Sequence, residues 1–294
     1  MTAPSVTSEP ILLEETRNGV RILRMNRPEK KNALSNDLTR ALVRSVEAAA
    51  ADAEVRVIAL TGVGGAFCSG ADLSPRKPTD PKPDSVEQTA DIVVQLVTGM
   101  RVTCEKPVIA GIDGIAIGAG LALAMLADMR LASSAARFHP GYARIGTSPD
   151  CGLSWTLPEA IGRERAMRFF LEPEMHDAEK ALALGLVGEV VDADGFDQAF
   201  VAYCEKIAEI APLAATQTKR LVTRIGLLDD LEPHLRDELT YAARGLMSED
   251  GREARRAMRQ KRRQRWRVRE LGSFHSPRST PEHRQSSPLF FVTA

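Results

Sequence analysis

The chain has 294 residues, 44% of them apolar and 27% charged, with no net formal charge. That length can bury a sizeable core, and the charge balance excludes a global field drawing the protein to nucleic acid or a membrane surface. The four cysteines, Cys68, Cys104, Cys151 and Cys204, form no Cys-x-x-Cys pair, so reduced and mostly buried thiols are expected rather than a disulfide framework.

Residues 1–10 carry no basic stretch ahead of an apolar one, so no signal peptide is expected and this end is read as disordered. Val20 to Met25 alternates like a strand that Asn26-Arg27-Pro28 ends. Ser35 then caps an amphipathic helix through Leu38, Leu42, Val43 and Val46. Val55 to Thr61 is a β-rich run closed by Gly62-Val63-Gly64-Gly65, and Ala66 to Ser69 leads into a turn at Gly70. Residues 74–84, rich in Pro, Lys and Asp, read as an exposed loop. A helix is predicted from Ser85 to Cys104, a buried strand over Val108–Ile112, a helix over Leu121–Leu126 and a strand over Met129–Ala132. The apolar run from Ile115 to Met125 is too short to span a bilayer, and a cytoplasmic location is expected. Alternation of strand, turn and helix argues an α/β fold with largely parallel pairing.

From Phe196 onward the pattern is helical, with helices predicted over Phe196–Ile210, Leu213–Ile225 and Leu231–Met247. The boundary falls near Asp194, which gives a mixed core over 11–194 and a helical part over 195–267. Residues 268–294, dominated by Ser, Pro, His and Arg, are expected to be disordered.

Two turns of small residues, Gly70-Ala71-Asp72 and Gly118-Ala119-Gly120, let a ligand approach the backbone closely. Free N–H groups at such a turn can hold a developing oxyanion, although such a turn alone is more often a close-packing device. The residues around them go further. Ala66-Phe67-Cys68-Ser69-Gly70-Ala71-Asp72-Leu73, Lys106 to Gly114 and Gly118-Ala119-Gly120 resemble the crotonase (enoyl-CoA hydratase/isomerase) superfamily. Asn26 to Leu34 and Ala181 to Val191 match two further motifs of that family, so the resemblance covers about residues 11 to 267.

This resemblance implies a crotonase (ClpP-like) spiral of β-β-α units with a helical C-terminal part that builds homotrimers, often paired into hexamers. It places the oxyanion donors at the backbone N–H groups of Ala71 and Ala119. The expected substrate is an acyl-CoA thioester, with coenzyme A entering only as part of it and no other cofactor or metal. Lys30 and the backbone of Ala66, Ser69, Gly70, Asp72 and Leu73, together with Gly118 and His139, make up the expected binding set. Arg76, Lys77 and Lys82 are read either as phosphate contacts or as a solvated basic loop.

Hydratases of this family use two glutamates, and here those positions hold Ala122 and Tyr142. Neither supplies a carboxylate. Asp150, in Ser148-Pro149-Asp150-Cys151-Gly152, matches the catalytic Asp of the isomerases of the family, those of phenylacetate catabolism most closely. It also stands where an N-cap of a short helix over Leu153–Pro158 would stand, and both roles are open. Tyr142 either hydrogen-bonds the substrate or shapes the acyl cavity. His139 is read as a packed or rim residue with acid/base partnership as the alternative, and His176, His234, His275 and His283 as solvated. Glu159, where the family commonly has Arg, is read as an altered surface or inter-subunit ion pair. Cys68 and Cys151 are read as packing residues. The Arg- and Lys-rich stretch from Arg252 to Arg269 reads as a solvated helix. The resulting expectation is an isomerase that shifts a proton with Asp150. The alternatives are a hydratase or lyase with another acid/base set, and a non-catalytic acyl-CoA-binding scaffold or RNA-binding member.

Overall fold

A computed structural model describes residues 9–74, 84–145, 147–224, 248–263 and 265. The chain opens with a hairpin of β1 (Leu12–Arg17) and β2 (Val20–Met25), antiparallel and joined at Asn18-Gly19. Both loop residues have positive φ, 49° and 80°, as a two-residue hairpin turn requires. β1 escapes sequence expectation because it is an edge strand exposed from Glu14 onward, and so lacks an alternating pattern.

From β2 the sheet continues in parallel through β3 (Val57–Gly62), β4 (Val108–Ile112), β6 (Met129–Ser133) and β9 (Glu189–Val191). A second sheet holds β5 (Ile115–Ile117) between turns of the spiral, parallel to β7 (Arg137–His139), which pairs antiparallel with β8 (His176–Asp177). The chain steps from β4 to β5 and from β6 to β7, placing one strand in each sheet per step. Helices α1 (Asn36–Ala51), α2 (Val86–Thr98) and α3 (Ala119–Leu126) fill the crossovers, so the expected β-β-α spiral is present. Ser35 caps α1 by accepting the Leu38 N–H, and Ser85 forms a capping box with Gln88 on α2.

The large sheet is apolar on both faces, which explains its continuous hydrophobic runs. Leu23, Met25, Ile58, Leu60, Val108 and Ala110 face one core cluster, whereas Val20, Ile22, Val57, Ala59 and Ile109 face the other. The second cluster is closed by α7 (Phe196–Ala208) through Phe196, Phe200, Val201 and Cys204. The helical part therefore starts as a piece of the core itself. Next, α8 (Pro212–Arg224) is pinned by buried Lys219, whose Nζ donates to the carbonyls of Met100 (3.0 Å) and Lys106 (2.9 Å) and pairs with Asp128 (2.8 Å). Lys106, also buried, caps the end of α1 through the carbonyls of Ala49 and Asp52.

Helices α4 (Leu153–Ile161), α5 (Arg163–Leu171) and α6 (Ala178–Leu184) precede β9, and α9 (Glu249–Arg259) lies in the basic stretch. The expected helix Leu231–Met247, the loop cations Arg76, Lys77 and Lys82, and His234, His275 and His283 lie outside the described residues. One expectation is corrected. His176 is buried on β8, not solvated, because it pairs with Phe138 and lies 4.9 Å from the Phe169 ring. Burial, and then Lys180, lowers its pKa below the usual histidine range. Among the described residues no helix is long and apolar enough to cross a membrane.

Phe200 is fully buried and stacks on Phe196 with ring centroids 6.0 Å apart. Phe200→Ala should therefore cost about 3–5 kcal/mol, read as a lower urea midpoint at unchanged slope.

Candidate functional site

The site starts at the Asn26–Leu34 motif. After a short 3-10 turn (Pro28–Lys30), Lys31 and Asn32 both take left-handed backbone, with φ 48° and 56°. This directs the wholly buried Asn32 amide inward, where its Oδ1 accepts the Arg27 N–H (2.8 Å). Its Nδ2 donates to the carbonyls of Val63 (2.9 Å) and Ala66 (2.7 Å). The sequence motif alone gives Asn32 no role. Its signal is an Asn between a 3-10 turn and the Ser35 cap of α1, the residue type that best tolerates positive φ outside glycine.

The segment from Ala66 to Ser74 hangs on that motif. Ser69 N–H donates to the Lys31 carbonyl, Leu34 N–H to the Gly70 carbonyl and Asp72 N–H to the Leu34 carbonyl. Arg27 closes the loop from the other side by an ion pair of 2.7 Å with Asp72. The Ser74 hydroxyl, followed by Arg27, lowers the Asp72 carboxyl to about 2, and Lys30 Nζ donates to Ser74 Oγ at 2.8 Å. Lys30 is thus tied to the loop that the sequence assigned to the same binding set. Leu73, at the loop's edge, is 71% exposed.

The two small-residue turns meet here. Cys68 N–H donates to the Ile115 carbonyl, and Ile117 N–H donates to the Cys68 carbonyl, docking the loop on β5. A Cβ on Gly70 would lie 2.8 Å from the Ile117 carbonyl oxygen and 3.7 Å from the Ala119 nitrogen, so only glycine permits this approach. Gly118, with φ 54° and ψ −122°, turns the chain from β5 into α3. In the parallel bridge between Leu34 and Ala71, Leu34 bonds to Gly70 and Asp72 on either side of Ala71, which leaves the Ala71 N–H outside the ladder. Ala119 is the first residue of α3, where an N–H has no intrahelical partner. Among the described residues neither N–H has a backbone acceptor. Two donors from adjoining turns, one backed by a helix dipole, suit a carbonyl oxygen gaining negative charge.

At the acid/base position, Ala122 is buried in α3 and carries no exchangeable proton. Tyr142 is buried in a 3-10 turn (Tyr142–Ile145), and its hydroxyl donates to Asp150 Oδ1 at 2.9 Å. Burial and the Asp150 charge push the Tyr142 phenol above its ordinary pKa, so it keeps its proton. Asp150 does not cap α4. The N-cap is Gly152, with no side-chain cap bond, while the Asp150 main-chain carbonyl accepts the Leu153 N–H at 2.9 Å. Cys151 and Gly152 are consecutively left-handed, with φ 50° and 78°, and this turn leaves the Asp150 side chain exposed and bonded to Tyr142. Burial pushes both the Cys68 and the Cys151 thiols up to about 12, as packing residues rather than nucleophiles.

His139 is buried on β7, where Nδ1 accepts the Gly141 N–H (2.8 Å) and the main-chain carbonyl accepts the Gly118 N–H (3.1 Å). It shapes the turn at Gly118, in keeping with a packed residue. Glu159 pairs within the chain, with Arg101 at 2.7 Å. Among the described residues no group of His, Cys, Asp or Glu is arranged to hold a metal ion. A cavity of about 720 Å³ lies between α8 and the core, walled by Met125, Ile207 and Val222, and none of the turn residues or Asp150 lines it.

Comparison with known proteins identifies the family. Residues 15–269 match the family model described as enoyl-CoA hydratase/isomerase. A 1,2-epoxyphenylacetyl-CoA isomerase of Escherichia coli is 36% identical over 186 residues, 62% of this chain and 70% of that protein. A probable enoyl-CoA hydratase of Rhodobacter capsulatus is 34% identical over 84% of this chain and 94% of its own. An (E)-benzylidenesuccinyl-CoA hydratase of Thauera aromatica is 36% identical over 72% of this chain and 81% of its own. Among solved structures, a probable enoyl-CoA hydratase/isomerase from Mycobacterium abscessus superposes with a TM-score of 0.79 at 30% identity, covering 88% of this chain and 99% of that one. The fold is thus the crotonase fold.

The depressed Asp72 carboxyl has a pH consequence. Its folded value near 2 lies below an ordinary aspartate, about 3.9, so its stabilising contribution is complete above about pH 4 and is lost as pH falls through 2. Asp72→Asn should flatten the stability–pH curve between those limits, measured by urea denaturation at stepped pH.

Proposed function

Because the chain belongs to the enoyl-CoA hydratase/isomerase family of acyl-CoA-processing enzymes, we propose that it shifts a proton along an enoyl-CoA, with Asp150 as the acid/base group. The observation that carries this reading is the Asp150 carboxylate itself, held by Tyr142 instead of capping α4. The thioester carbonyl oxygen would accept the Ala71 and Ala119 N–H groups. Asp150 removes the proton that the thioester acidifies, the electron pair moves onto that oxygen, and the proton returns at another carbon. Each N–H donor is worth roughly 3 kcal/mol of barrier when it meets the charge only as the charge develops.

Hydration needs one group to activate water and another to deliver a proton, commonly a carboxylate pair. The two hydratase positions here hold a buried alanine and a buried tyrosine that stays neutral. One carboxylate suffices for a proton shift. The relative named as an isomerase supports the reading, while the hydratase names of other relatives keep hydration as its competitor. A homotrimer or a hexamer belongs to the same proposal.

Incubation with a 3-enoyl-CoA in deuterated water should give the 2-enoyl isomer with solvent exchange. Asp150→Asn should lower kcat by about 10²–10⁴-fold with intact fold. Hydration of a 2-enoyl-CoA without isomerisation of the 3-enoyl substrate would overturn the proposal.

A further inference from the structure

Resting on the reading of Asp150 as the acid/base group, we propose that Tyr142 is the positioning residue that selects this role for Asp150 over capping a helix. The Tyr142 hydroxyl holds Oδ1, so Oδ2 carries the proton in both directions.

Two destinations compete for this carboxylate. One is the start of α4, three residues on, where the N-cap is a glycine with no side-chain bond and where an aspartate would stabilise the first turn. The other is the Tyr142 hydroxyl, at 2.9 Å. The structure takes the second, against the local preference of an Asp that precedes a helix. The selection requires an anchor that does not move. Tyr142 is 5% exposed and packs in the main core cluster with Cys68, Leu121 and Leu153, so its hydroxyl is fixed by the core and not by the loop. Asp150 by contrast is exposed, on a turn where Cys151 takes a left-handed φ of 50° that side chains rarely adopt. The exposed acid on its strained turn therefore takes its aim from a buried ring.

The proton account closes without any contribution from Tyr142. A substrate C–H bond breaks, its proton bonds to Oδ2, and its electron pair passes to the thioester oxygen. The Oδ2–H bond then breaks as a C–H bond forms elsewhere. The phenol keeps its own proton throughout and acts only by holding Oδ1.

The test is a double-mutant cycle of Tyr142→Phe and Asp150→Asn on 3-enoyl-CoA isomerisation, with thermal unfolding as the check on fold. Y142F should lower kcat about 10- to 100-fold with KM changed less than about threefold, since a carboxylate misplaced by about an ångström loses that much rate. In the D150N background Y142F should have no further effect. Solvent deuterium in the Y142F product should rise, because a freed carboxyl exchanges its proton before returning it. Unchanged turnover in Y142F, or an equal loss with and without Asp150, overturns the proposal. Full activity of D150N instead overturns the underlying reading of Asp150. If Y142F does not fold, Tyr142→His goes through the same cycle, with turnover expected between those of wild type and D150N; loss to the D150N level with intact fold, or no loss, counts against the proposal.

Discussion

The buried Asn32 amide is the interaction on which the site depends. It joins backbone groups of Arg27, Val63 and Ala66, which belong to two loops far apart in sequence. Backbone groups buried without partners cost about 1–3 kcal/mol each, so this one side chain removes the main obstacle to burying both loops together. With the loops joined, the Leu34–Ala71 bridge forms and the Ala71 N–H is left outside it. Docking of the same loop on β5 brings Gly70 against the chain entering α3 and sets the second donor beside the first. The two N–H groups are thus by-products of backbone pairing elsewhere, which fixes them without side-chain freedom.

The sheet and its helices act as a rigid mount for these turns. Both sheet faces are buried, one of them under α7, and the buried lysines at 106 and 219 tie the ends of α1 and the segment before β4 to α8. Each buried ammonium is held by at least two acceptors and resists sliding, because any shift leaves a charge unsolvated. β4 leads directly into β5 and so into Gly118. Rigidity at the lysines therefore reaches the Ala119 N–H through a few residues of strand.

Much of this was legible in the sequence where one residue type leaves one local solution. The β2, β3, β4 and β6 runs, the Ser35 cap and the glycine turns are of that kind. Strands β5, β7 and β8, of two or three residues each, are too short to show any periodicity. β1 hid for a different reason, since an exposed edge strand needs no apolar alternation. Nothing local marks His176 as buried, and its burial is set by Phe138 and Phe169. The motifs single out Ala71, Ala119 and Asp150 as candidates. They did not show that Asn32 and Arg27 carry the loop, or where the Asp150 carboxylate turns. Local propensity at Asp150 favours a cap, and a buried ring brought in by tertiary packing decides otherwise.

The left-handed pair at Cys151 and Gly152 has one more consequence. A glycine at 151 would relieve backbone strain of about 1–2 kcal/mol, yet it would also widen the conformations open to the neighbouring acid. Changes that stabilise this turn and changes that keep the Asp150 carboxylate on Tyr142 therefore pull in opposite directions. A variant selected only for thermal tolerance would drift toward relaxing the segment that the proposed role of Asp150 needs taut.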